Sequence, residues 1–147
     1  MHGVDDALRL LAAAATGILV GLDRDVSGKP VGMRTLALVA LASALATISA
    51  VEFQDLRDHP DAVARVVQGA LTGVLTGVGF IGTGVILRDY QEKTVHGLTT
   101  AATVWVAAGL GIACALGAWV LVGAAVGITL LVLFVLGWIE RKTGLKG

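Results

Sequence analysis

Carboxylates are what this sequence lacks most conspicuously. No Asp or Glu occurs from Thr35 to Val51, from Val66 to Leu87, or from Gly97 to Ile139. A buried helix of a soluble protein rarely repeats that pattern three times in one chain. Charged residues make up 15% of the 147 residues, hydrophobic ones 56%, and the mean hydropathy is +0.84. That apolar share exceeds that of an ordinary soluble domain, and a soluble chain of this size would have too little polar surface to cover itself. Cysteine is nearly absent: Cys114 stands alone in an apolar run and can form no intramolecular disulfide. The only histidines, His2, His59 and His96, fall in tails or loops. No Ser/His/Asp grouping and no HExxH spacing is present. Magnesium and calcium want hard oxygen ligands, and the apolar stretches hold no carboxylate. No catalytic residue, metal ligand or cofactor is therefore expected. The eleven basic residues are scattered and balanced by eleven acidic ones, which excludes a nucleic-acid footprint. Asp5 and Asp6 precede the first apolar run, with only Arg9 as a basic residue, so no cleavable signal is expected.

What the chain has instead is apolar length. Five stretches stand out, at about 7–22, 35–51, 66–87, 97–115 and 118–139. A helix crossing the ~30 Å hydrocarbon core needs roughly 20 residues. The last three stretches meet that comfortably and the first meets it poorly. The fold class expected is all-α: a polytopic membrane helix bundle of about five transmembrane helices, forming one domain over residues 1–147. Trp119 and Trp138 stand 19 residues apart, about 28 Å of helix. Indoles favour the membrane interfaces, so these two bracket one hydrocarbon thickness. With five spans, one side carries Arg24, Lys29, Arg34, Arg88, Lys93, Arg141, Lys142 and Lys146. The other carries only Arg9, Arg57 and Arg65. Eight against three places the first side in the cytoplasm, with the N-terminus outside. Pro60 suits the first turn of a helix that begins near Asp61 and becomes the third span.

That third span is rich in glycine. Gly69, Gly73 and Gly77 recur every four residues and share one face. Small residues at that spacing let helices approach closely in lipid, so this face is expected to pack against a neighbouring helix or a second copy. Gly77, Gly79, Gly82 and Gly84 make four glycines in eight residues. A second reading is that this stretch unwinds locally, each Gly costing about 1 kcal/mol in a helix interior. Gly77-x-Gly79-x-x-Gly82 also matches the dinucleotide-binding pattern, but that fingerprint needs a strand before it and a helix after it. A membrane span supplies neither.

Charge collects on the predicted inner side: Asp23, Arg24, Asp25, Lys29 and Arg34, then Arg88, Asp89, Glu92, Lys93 and His96. Salt bridging at the interface is one reading of this cluster and a docking face the other. Asp23 and Asp25 end a short span and are expected to be drawn into the bundle, with Arg24 or Arg34 as partner. A charge at such depth is a functional candidate. On the opposite side Arg65 and Gln68 lie one turn apart on one helix face, Arg65 reading most simply as an interfacial snorkelling residue. Thr99, Thr100 and Thr103 are expected to bond to their own helix or an adjacent one.

Several of these segments together resemble the N-terminal membrane domain of the MgtC/SapB family. They are Gly17–Asp25, Gly28–Thr35, Leu38–Leu41, Arg65–Gly69, Gly77–Ile86 and Val95–Ala107. The resemblance covers most of the chain, from about Gly17 to Gly111. It implies a bacterial inner-membrane, multi-pass protein linked to adaptation to low magnesium, whose relatives act on other membrane proteins, the F-type ATP synthase among them. It gives weight to Asp23, Arg24, Asp25, Arg34, Thr35, Arg65, Gln68, Gly79, Gly82, Gly84 and Arg88 as the functional core. Family members usually carry Glu where Asp23 and Asp25 stand. Longer members add a soluble cytoplasmic domain, which is expected to be lacking here.

The function expected is non-enzymatic regulation of a partner membrane protein under low magnesium or related stress. A small transporter or channel for an ion or small solute is the alternative. The expected partners are the lipid bilayer, a second copy of the chain, and another inner-membrane protein such as an ATP synthase or transporter.

Overall fold

The computed structural model describes residues 2–52, 60–89 and 94–143. Arg57, Lys93 and Lys146, three of the cations that set the expected orientation, lie outside the described residues, as do Asp58, His59 and Glu92. The described residues form five helices and one short hairpin: α1 (His2–Val26), α2 (Met33–Val51), α3 (Pro60–Val85), β1 (Leu87–Asp89), β2 (Thr94–His96), α4 (Leu98–Ala115) and α5 (Trp119–Thr143). The strands pair antiparallel with Arg88 opposite Val95. The sequence carries no sign of this hairpin. Three-residue strands leave too short an alternation to detect.

Helices α1, α2 and α4 make the core. Each buries a narrow apolar stripe of small side chains: Ala13 and Val20 from α1, Leu36, Ala40 and Ala44 from α2, Val104, Ala107, Ala108 and Cys114 from α4. Small residues let the backbones nearly touch. A Cβ built on Gly17 would lie under 3.0 Å from the backbone of Leu36 and Ala37. One on Gly21 would strike Met33, and one on Gly111 would strike Ala40. The close-packing glycines are thus Gly17 and Gly21, four residues apart on α1, together with Gly111 on α4.

The glycines of α3 behave differently. Gly69, Gly73 and Gly77 have open space where a side chain would project, so of the two expected neighbours, a helix of this chain or a second copy, the first is not found among the described residues. The second reading of this stretch, local unwinding at Gly77–Gly84, is also not found. Helix α3 continues without a break to Val85. The Thr83 hydroxyl donates to the Gly79 carbonyl of the preceding turn (3.0 Å). Gly82 packs on Ala101 of α4, which supports the helix from outside. Chain reversal into α4 uses Gly97, whose φ of 91° suits only glycine and whose α-carbon faces the Val85 carbonyl.

Four helices are long and apolar enough to cross a membrane: Met33–Val51, Asp61–Val85, Leu98–Ala115 and Trp119–Ile139. Helix α1 has 25 residues but only residues 10–22 between Arg9 and Asp23 are uncharged, about 20 Å of helix. The expectation of about five spans is therefore met by four on length and composition. Helix α1 is nonetheless one unbroken helix packed along α2 and α4. Its two arginines bracket α4, Arg9 beside Ala115 and Arg24 beside Thr100. Helix α5 contributes Val122 to the core and leaves most of its surface exposed, Trp119 and Trp138 included. Lys142 places its Nζ 4.1 Å from the centre of the Trp138 ring, a cation–π contact suited to an interface.

Candidate functional site

One end of the bundle gathers the last turn of α1, the first turns of α2 and α4, the last turn of α3 and the hairpin. The reason is periodicity. Helix α1 turns Ala13, Thr16, Gly17, Val20, Gly21 and Arg24 toward its neighbours, at the three- and four-residue steps of one helical face. Arg24 falls on that face, and Asp23 and Asp25 fall to either side of it.

The charges consequently arrange themselves opposite to expectation. The cation is drawn into the bundle and the carboxylates are not. Arg24 is 1% exposed, and its Nη2 donates to the hydroxyl of Thr100 in the first turn of α4. Its Nε and Nη1 are buried without a hydrogen-bond partner among the described residues. Asp23 is half-buried and Asp25 exposed. Neither forms an ion pair with Arg24 or Arg34 among the described residues. An ion pair does form at the other end of α1, between Arg9 and Asp5, 2.7 Å apart.

Asp25 has a structural task. Its Oδ2 accepts the backbone N–H of Met33 at 3.0 Å, the first residue of α2. Gly32 precedes that helix and has no side chain with which to cap it, so a carboxylate from the previous helix takes the place of an N-cap. Negative charge there also suits the α2 dipole. Asp25→Ala is expected to cost about 1 kcal/mol of stability, and Asp25→Asn clearly less. Thermal unfolding of the detergent-solubilised protein measures both, and an unchanged midpoint in Asp25→Ala would show the cap to be idle. The connecting turn is tight: Val31, a β-branched residue, adopts a left-handed φ of 63°, a strained geometry tolerated where surrounding contacts fix it.

The remaining expected residues divide. Arg34 and Thr35 are exposed on the first turn of α2. Thr35 lines an open apolar groove of about 480 Å³ between α2 and α3, together with Leu38, Gly73, Gly77 and Ile81. Gly79 and Gly82 turn toward Trp105 and Ala101 of α4, and Gly84 is open. Arg88 is in β1, and its side chain lies outside the described residues. Arg65 and Gln68 sit exposed near the start of α3, at the far end of the bundle, so the fold does not bring them to Arg24. Gln68 borders a separate groove with Val67, Leu71 and Leu75. The hydroxyl of Thr103 bonds back to the Thr99 carbonyl at 2.7 Å while Thr100 receives Arg24, both as expected of that trio.

Sequence reasoning missed Arg9. Its Nη1 donates to the Ala115 carbonyl at the C-terminus of α4 (2.6 Å), while Nη2 meets Asp5. The Asp5/Arg9 spacing of four residues was the available signal.

Long apolar helices, a core of small residues and a charged end define a polytopic α-helical membrane protein. The chain belongs to the MgtC family, whose family model matches residues 10–142. It is 40% identical to protein SrpB of Synechococcus elongatus over 119 residues, 77% of this chain and 64% of that protein. It is 35% identical to protein SapB of Bacillus subtilis over 143 residues, 95% of this chain and 60% of SapB. It is 39% identical to protein MgtC of Salmonella typhimurium over 110 residues, 75% of this chain and 43% of MgtC. The chain thus matches less than two thirds of the length of each of these relatives. No solved structure matches it.

Proposed function

We propose that this chain is a non-enzymatic protein of the bacterial inner membrane that regulates a partner membrane protein during adaptation to low magnesium or related stress. The observation that carries this reading is the uncovered α2/α3 groove. Gly73 and Gly77 form its floor with nothing against them among the described residues, Leu38 and Ile81 line it, and Thr35 stands at the charged end. A transmembrane helix seated there would reach the α3 backbone closely, as small-residue faces allow in lipid. The occupant is a partner helix, with a second copy of the chain as the simplest case. The charged end faces the cytoplasm in this reading, as the eight-to-three distribution of Lys and Arg favours.

Gly73→Leu fills the groove without touching the core. It is expected to lower crosslinking to self or partner at least tenfold in native membranes while leaving insertion intact. Crosslinking equal to the wild type would remove the groove from the mechanism.

The alternative, a small transporter or channel, needs a polar path. An intact α3 keeps its Gly77–Ile81 carbonyls bonded within the helix, which speaks against a carbonyl-lined route through that turn. Magnesium uptake into proteoliposomes of the purified chain is expected to equal that of empty liposomes. Uptake that Arg34→Ala abolishes would establish transport instead.

A further inference from the structure

Arg24 presents an electrostatic problem that the described residues leave open. Its guanidinium is 1% exposed, and Thr100, to which it donates, is 3% exposed. Two of its three nitrogens have no hydrogen-bond partner among the described residues; the half-buried Asp23 carboxylate attracts it through space but makes no ion pair with it there. It also sits against the wrong end of a helix. Thr100 is the third residue of α4, and the N-terminus of a helix carries positive potential. Gly97 gives that helix no side-chain cap, so its first-turn N–H groups also want an acceptor. The C-terminal carbonyls of α1 offer Arg24 little. Those of Asp23, Arg24 and Asp25 already accept from Ser27, Lys29 and Gly28 at 2.9–3.1 Å. Asp25 is committed to Met33. Lys29 and Arg34 add further positive charge at the same end.

A buried cation and an uncapped helix N-terminus converging on one hydroxyl make a site for an anion. We infer that Arg24 and the first turn of α4 bind a phosphate group. The guanidinium offers a planar fork matched to phosphate oxygens, and helix N-terminal amides supply the complementary donors. Depth selects the same chemistry. The 18 residues of α4 span about 27 Å, close to the hydrocarbon thickness. Its first turn therefore lies at the level of lipid headgroups. The phosphate can come from an anionic lipid or from solution. The site stands independently of any protein partner in the α2/α3 groove.

The test uses the whole purified chain in a maltoside detergent, which carries no phosphate group, read by thermal unfolding and by phosphorus NMR. In one arm inorganic phosphate is titrated. In the other no inorganic phosphate is added, and phosphatidylglycerol is titrated into the micelles. Stabilisation in the first arm identifies a soluble phosphate, and stabilisation confined to the second identifies a lipid headgroup. Either effect is expected to vanish in Arg24→Met. It is expected to need at least tenfold more of the same anion in Arg24→Lys, which keeps the charge but loses the fork. The Lys variant decides the matter alone if the Met variant does not fold. No stabilisation of the wild type by either anion, or stabilisation undiminished in the Lys variant, overturns the site.

Discussion

Gly21→Leu is expected to abolish the folded bundle, whereas Gly73→Leu leaves it standing. Both replace a glycine in an apolar helix by the same side chain, so lipid insertion and helix propensity change alike. The surroundings differ. A Cβ on Gly21 would lie under 3.0 Å from the Met33 backbone, and one on Gly73 meets nothing within 4 Å. Backbone cannot move aside as a flexible side chain can, and overpacking a well-filled contact costs about 1–3 kcal/mol, occasionally more. Here α1 and α2 would have to separate along their contact, removing Val20 and Leu36 from the core. Monodispersity after detergent extraction, followed by thermal unfolding, reads the difference. A Gly21→Leu protein as stable as Gly73→Leu would mean that α1 does not pack on α2 as described.

Arg24→Met is expected to be at least as stable as the native chain when no anion is supplied. Methionine keeps an unbranched stem of similar reach through the core and removes a buried guanidinium with two unpartnered nitrogens. Replacing buried ionic groups by apolar residues of similar size often stabilises by about 1–4 kcal/mol, whereas leaving a charge unpaired is costly. Thr100 loses its donor but can turn its hydroxyl to its own helix, as Thr103 does toward Thr99. Unfolding in maltoside micelles without phospholipid or added phosphate makes the comparison. A marked loss of stability in Arg24→Met under those conditions would show that Arg24 is already neutralised by a group of the protein itself.

Much of the architecture was legible because lipid imposes simple rules. Carboxylate-free stretches of sufficient length announced α2, α3, α4 and α5, and Pro60 marked the start of α3. The site was legible only in part. The run Asp23-Arg24-Asp25 stands out as charge ending a short span, but the sequence points its carboxylates inward whereas the fold buries Arg24 instead. The information was present: Gly17, Gly21 and Arg24 share a helix face by spacing alone. Which face looks inward, however, depends on what stands opposite. Glycine spacing misled for the same reason. Gly69, Gly73 and Gly77 repeat more regularly than Gly17 and Gly21, yet they open onto a groove while the α1 pair meets backbone.

The sequence by itself determined that the chain is a helical membrane protein, where four of its helices run, and that charge gathers between them. Those properties are local: hydropathy over about 20 residues, and the exclusion of carboxylates from hydrocarbon. Only the tertiary structure decided that Arg24 goes inside, that Asp25 caps α2, that α3 stays helical through its glycines and that Arg65 lies far from Arg24. Each of these depends on a contact between residues distant in the chain, such as Arg24 with Thr100 or Gly111 with Ala40, and no local pattern encodes which faces meet.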